Sequence, residues 1–88
     1  MSSEEKQRLD IWLFFARIQK SRARAARLVN EGHVRVNGRR VDTAAKPIRP
    51  GDVLTISLEH RVRVLRVIKS GSRRGPFTEA RGLFEEIS

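Results

Sequence analysis

The apolar positions of this 88-residue chain change their spacing as the chain proceeds, and each change marks an element. From Arg8 to Ile18 the spacing is helical and dense. Leu9, Trp12, Leu13 and Ala16 fall on one side, while Ile11, Phe14, Phe15 and Ile18 cover much of the other. A helix apolar on two sides has to be covered on both. Its polar remainder is a narrow strip holding Asp10 and Arg17, nearly aligned two turns apart. A second helix is predicted from an N-cap at Ser21 through "RARAARLVNE" to Gly32, whose tolerance of positive φ suits a helix C-terminus. Ala25, Leu28 and Val29 form its core stripe; Arg24 and Arg27 point away, with Arg22 in the exposed first turn.

After Gly32 the spacing falls to two. In "HVRVNGRRV", Val34 and Val36 alternate with His33 and Arg35, and Asn37-Gly38 signals a tight β-hairpin turn. "DTAAKPIRPGD" reads as a loop, because Pro47, Pro50 and Gly51 oppose regular structure and Gly51-Asp52 marks a turn. "VLTISLE" and "RVRVLRVI" read as two further alternating strands joined across Glu59-His60. A basic loop, "KSGSRRGP", then leads to a terminal helix expected over about 77–87, with Phe77, Ala80, Leu83, Phe84 and Ile87 at apolar spacing and Gly82 weakening it. The fold class this predicts is α+β: two N-terminal helices, a hairpin and a small, twisted, mainly antiparallel sheet, with the C-terminal helix packing on the first. Residues 1–7 read as a flexible leader and residues 8–88 as one domain.

Composition adds the partner. A hydrophobic fraction of 39% beside 33% charged residues is that of a folded chain, whereas 19 basic residues against 10 acidic ones, a net charge of +9, calls for an anionic partner. The charge is concentrated: "RIQKSRARAARLVNEGHVRVNGRR" holds eight Arg or Lys against Glu31 as its one acid. No segment is long and apolar enough to span a bilayer, and the polar, acidic start "MSSEEKQRLD" is unlike a signal peptide, so a cytoplasmic protein is expected. With no cysteine there is no disulfide, thiolate metal site or thiol chemistry. The charge of +9 opposes self-association, so a monomer is expected.

Catalytic material is poor. His33 and His60, the two histidines, have no second ligand at metal spacing, and no phosphate-binding P-loop, dinucleotide fingerprint or nucleophile elbow is present. No catalytic residue, cofactor or metal is expected. Asp10 reads as a structural acid able to orient an arginine, and Trp12, Phe14 and Phe15 as core rather than as base-stacking groups. The loop Gly71–Pro76 is a weak candidate for cradling a phosphate with its amides. The strong candidate is the basic stretch. Lys20 and Arg22 stand at a helix start whose backbone N–H groups also face out, Arg24 and Arg27 follow on the outer side, and Arg35, Arg39 and Arg40 arrive on the adjoining hairpin. Amides and guanidinium groups together suit the phosphates of a nucleic acid.

The run Arg8-Leu9-Asp10, Leu13, Ala16-Arg17, Lys20-Ser21-Arg22, Ala25, Gly32, Val34, Val36-Asn37-Gly38, Val41 and Pro50-Gly51-Asp52 resembles, in order and spacing, the ribosomal-protein-S-four-type RNA-binding domain. Within that superfamily "RLDIWLFFARIQKSR" and "RRGPFTEARGLFEE" look like the bacterial fifteen-kilodalton heat-shock protein family. The resemblance implies RNA contact at Arg8, Lys20, Ser21, Arg22, Arg35, Asn37 and Gly38, with Arg17 and Arg24 as neighbours. It also implies a ribosome-associated stress role in which free large subunits, still carrying a nascent chain on transfer RNA, are bound and recycled. Members of that family commonly carry a longer basic tail after the last acidic helix, whereas this sequence ends at Ser88, the tail being either naturally absent or trimmed; a missing tail bears on how firmly the ribosome is gripped and leaves the RNA-binding face intact. The expected partner is therefore structured RNA, ribosomal RNA of the large subunit first and transfer RNA second. The alternative is an RNA-binding adaptor acting on transfer RNA or alongside a separate RNA-modifying enzyme.

Overall fold

A computed structural model describes residues 6–88. The chain runs β1 (Gln7–Arg8), α1 (Leu9–Phe15), α2 (Arg22–Asn30), β2 (Val34–Val36), β3 (Arg39–Val41), β4 (Pro47–Ile48), β5 (Val53–Ser57), β6 (Val62–Val67), α3 (Phe77–Ala80), a 3₁₀ turn (Arg81–Leu83) and β7 (Phe84–Glu86). The five-stranded sheet has the order β3-β2-β5-β6-β7 and is antiparallel throughout. Period-two alternation sends Val34, Val36, Leu54, Ile56, Leu65 and Val67 to the buried face, where they join Leu9, Trp12, Leu13, Ala25 and Val29 from the helices in one core. The architecture is the α+β arrangement expected from the sequence.

The turns follow local chemistry. Asn37 and Gly38 take φ of 52° and 84°, both positive as the two-residue hairpin turn between β2 and β3 demands. At Arg49–Asp52, Pro50 precedes Gly51 at φ 97°, and the Asp52 N–H donates to the Arg49 carbonyl at 3.1 Å, closing a type II turn.

Four expectations need correction. The first helix stops at Phe15 rather than running on to Ile18. Arg17 takes φ 61° and donates its N–H to the Phe14 carbonyl at 3.1 Å, while the Ile18 N–H reaches Leu13 at 3.0 Å. This is a Schellman closure with an arginine where glycine is usual. Arg17 therefore leaves the helix surface, and the strip that would have aligned it with Asp10 does not form. Second, the loop before Pro50 is not without regular structure. Pro47–Ile48 pairs with Gln7–Arg8 as a two-stranded ribbon, which a proline tolerates because so short a strand needs few of its donors.

Third, Gln7, expected in the flexible leader, is part of the folded domain. Residues 1–5 lie outside the described residues, but Gln7 is held at both ends of its amide, with Nε2 donating to the Gly71 carbonyl at 2.8 Å and Oε1 accepting from the Gly71 N–H at 3.0 Å. Fourth, the terminal helix ends at Ala80, and residues 84–86 become the edge strand β7 beside β6. Gly82 lowers helix propensity, and the strand form lets Glu86 and Glu85 reach Arg63 and Arg66 at 2.6 and 3.0 Å. The segment still covers the first helix as expected: Leu83 enters the core, and Phe84 meets Trp12 edge-on at 6.2 Å.

Candidate nucleic-acid interface

The start of α2 is built by its cap. Ser21 sits in extended geometry at φ −149°, and its hydroxyl accepts the Arg24 N–H at 3.1 Å. Ala25 and Val29 are buried, which fixes the helix's rotation and leaves Lys20, Arg22, Arg24 and Arg27 exposed. At the other end, Gly32 closes the helix at φ 84°, with the His33 N–H reaching Leu28 at 3.1 Å.

Gly32 has a second role. A Cβ there would overlap the Arg40 guanidinium, so the absent side chain lets the hairpin's arginine lie directly over the α2 C-terminus. That position suits a cation, because the helix dipole is negative there. Arg35 and Arg40 are cross-strand partners and so share the outer face of the hairpin; Arg39 lies one residue away at the turn.

Arg8 reaches the same region by another route. β1 places it opposite Pro47, and its guanidinium grips the Asp10 carboxylate twice, at 3.1 and 3.0 Å. Asp10 is buried and also accepts the Ile11 N–H at 2.8 Å. The carboxylate does orient an arginine, but that arginine is Arg8. Between the hairpin and the segment before β4 lies an open groove of about 710 Å³, lined by Arg39, Arg40 and Lys46 among others. Sequence reasoning passed over Lys46. It is a single cation in a loop, and only the pairing of β4 with β1 reveals where it stands. The groove is tied to α2 as well, because the Asn30 side-chain carbonyl accepts the Ala44 N–H at 3.1 Å.

Two candidates have other duties. Asn37 is committed to the fold: its Oδ1 accepts the Val53 N–H at 2.9 Å and its Nδ2 donates to Asp52 at 3.1 Å. Arg17 donates its Nε to the Gly75 carbonyl at 2.7 Å and lines a different cleft, with Arg63 and Arg81. Gly38 stays at the turn tip with open space around it, and its carbonyl has a long contact of 3.5 Å from Arg35.

Ion pairing within the fold neutralises some arginines and leaves the cations concentrated here unpaired. Arg8, Arg63, Arg66 and Arg73 have acidic partners within 3.0 Å, all outside α2 and the hairpin. Among the described residues, Lys20, Arg22, Arg24, Arg27, Arg35, Arg39 and Arg40 form no ion pair. Their charge is available to an external anion. The loop Gly71–Pro76, by contrast, is supplied from within: the Glu79 carboxylate lies against Gly75 and binds Arg73 at 2.7 Å, which raises the Arg73 pKa through that hydrogen bond and then through its charge. The histidines lie on the surface near Glu31 and Glu59, and no cluster of metal-ligating side chains occurs among the described residues.

Two helices leading into a basic hairpin, with free cations on the second helix, define an S4-domain protein, and the S4 domain family model matches residues 7–54. Small ribosomal subunit protein uS4 of Shouchella clausii is 38% identical over 79 residues, which is 90% of this chain and 38% of that protein. Its counterpart in Kosmotoga olearia is 40% identical over 57 residues, 65% of this chain and 27% of that protein. The chain thus spans well under half the length of these curated relatives. Among solved structures, the trimeric Heat Shock Protein 15 of Vibrio cholerae superposes with a TM-score of 0.88 at 32% identity, covering 96% of this chain and 84% of that one. The chain belongs to the S4-domain family, on the branch of Heat Shock Protein 15. It is a non-catalytic RNA-binding domain.

Proposed function

We propose that the chain binds ribosomal RNA of the large subunit, in a ribosome-associated stress role that recycles stalled subunits. Lys20, Ser21, Arg22, Arg24 and Arg27 hold phosphates along α2, and Arg35, Gly38, Arg39 and Arg40 hold them on the hairpin. Arg8 borders that surface, Asn37 shapes its turn, and Arg17 stands at its margin. The observation that carries this reading is the concentration of seven cations without acidic partners among the described residues at α2 and the adjoining hairpin. Recognition is of RNA shape and backbone, as expected for folded RNA. With about six phosphates engaged, affinity falls roughly a thousandfold between low and moderately raised salt. The protein acts in the cytoplasm, as a monomer on its RNA.

Sedimentation of the tagged chain from heat-stressed bacterial lysate through sucrose gradients tests this. The chain should migrate with free large subunits and be released on raising salt and on RNase treatment. Migration with small subunits, which the names of the curated relatives favour, would move the site to the other particle. Protein left at the top of the gradient that still binds purified transfer RNA would support the adaptor reading. Because the Vibrio protein is described as trimeric, the mass in sedimentation equilibrium decides between monomer and trimer.

A further inference from the structure

The feature left unexplained is on the far side of Arg17. The apolar spacing of the C-terminal segment predicts Phe77 on the face covering α1, yet Phe77 is 63% exposed, more than any other large apolar side chain described. One exposed aromatic is ordinary on a protein surface. What surrounds this one is not. Phe77 forms a wall of a cleft of about 460 Å³ that Arg17, Arg63 and Arg81 also line. The Arg81 guanidinium lies 5.8 Å from the Phe77 ring centroid.

The acid in the cleft, Glu86, is taken up by Arg63 at 2.6 Å, so Arg17 and Arg81 set the net charge. Arg17 is held in place: its backbone turns left-handed at φ 61°, and its Nε is fixed to the Gly75 carbonyl at 2.7 Å, leaving the two terminal nitrogens as donors. It also precedes Lys20, Ser21 and Arg22 by three to five residues in the chain.

An exposed ring beside cations, reached within a few residues of chain from the proposed phosphate contacts, is the equipment of a single-strand stacking platform. We propose that this cleft takes one unpaired nucleotide of the bound RNA, its base stacked on Phe77 and its phosphate held by Arg17 and Arg81. The proposal rests on the RNA-binding reading above and adds an unpaired nucleotide beside the folded region to what is recognised.

The probes are a blunt RNA hairpin and the same hairpin carrying five unpaired uridines at either its 5′ or its 3′ end, with affinities read by fluorescence anisotropy. The whole chain should bind one of the extended hairpins about fivefold or more tighter than the blunt one. Phe77→Ala should abolish that gain while leaving the blunt-hairpin affinity unchanged, and Phe77→Leu should recover little of it. The fluorescence of Trp12, the only tryptophan and fully buried, reports that each variant is folded. Equal affinity of the whole chain for all three hairpins, or a gain that survives in folded Phe77→Ala, overturns the proposal while leaving α2 as the RNA site. No binding to any hairpin removes the RNA reading itself and this proposal with it.

Discussion

Asn37 offers a separation of structural from binding roles. The resemblance to the S-four-type domain assigns it to RNA, whereas the structure gives its side chain to Asp52 and the Val53 N–H, with its own N–H on the Val53 carbonyl at 2.7 Å. In Asn37→Ala three effects add. Placing alanine at φ 52° costs about 1 kcal/mol. Loss of the hydrogen bond to the Val53 N–H costs about 1 kcal/mol, and loss of the solvent-exposed bond to Asp52 about 0.5 to 1 kcal/mol. The total of about 2.5 to 3 kcal/mol corresponds to a drop in melting temperature of roughly 10–24 °C for a domain of this size. Asn37→Gly restores the backbone term and should be the milder change by about 0.5 to 1 kcal/mol. Urea unfolding followed by Trp12 fluorescence measures both. Asn37→Ala within about 0.5 kcal/mol of the parent would refute the claim that these bonds hold the hairpin against β5.

Ser21→Asp keeps the helix cap but sets a carboxylate where a phosphate is proposed, so thermal stability should be kept while RNA affinity falls at least tenfold; Ser21→Ala should instead cost about 1 kcal/mol of stability. The Arg63 hydrogen bond holds the Glu86 carboxyl below its ordinary pKa, burial opposing it, so the bond's stabilisation is present above about pH 4.3 and is lost as pH falls through the lowered value. Glu86→Gln should remove that part of the acid dependence and cost under about 1 kcal/mol at neutral pH, as seen in melts across pH. Trp12→Phe removes the indole donor to the Lys69 carbonyl, 3.0 Å away, and opens a void in the core; urea unfolding followed by circular dichroism should show a loss of about 2–3 kcal/mol.

What the sequence disclosed and what it did not divide along physical lines. α2, the β2–β3 hairpin, β5 and β6 were legible because cap, period and turn residue agree at each: Ser21, the valine alternation, Asn37-Gly38. The basic face was legible for the same reason, since burial of Ala25 and Val29 dictates where Arg22, Arg24 and Arg27 point. The misreadings fall where tertiary contacts overrule local preference. Nothing local marks Arg17 as a left-handed helix terminus, and its packing against Gly75 is a contact 58 residues away in sequence. Leu83 and Phe84 satisfy a helical or a strand period alike, and only the open edge of β6, with Arg63 and Arg66 facing two glutamates, selects the strand. Gln7 and Gly71 hold each other across 64 residues, and no pattern along the chain announces such a pair.

The central claim is that cations of α2 without acidic partners hold RNA phosphates. Its most direct test is the salt dependence of binding to a large-subunit ribosomal RNA fragment, compared between the parent and Arg22→Ala/Arg24→Ala. Both residues are exposed and outside the core, so the variant should melt as the parent does. Binding should weaken, and the slope of log affinity against log salt should be shallower by about two, one for each phosphate contact removed. A folded variant with the parent's affinity and slope would contradict it.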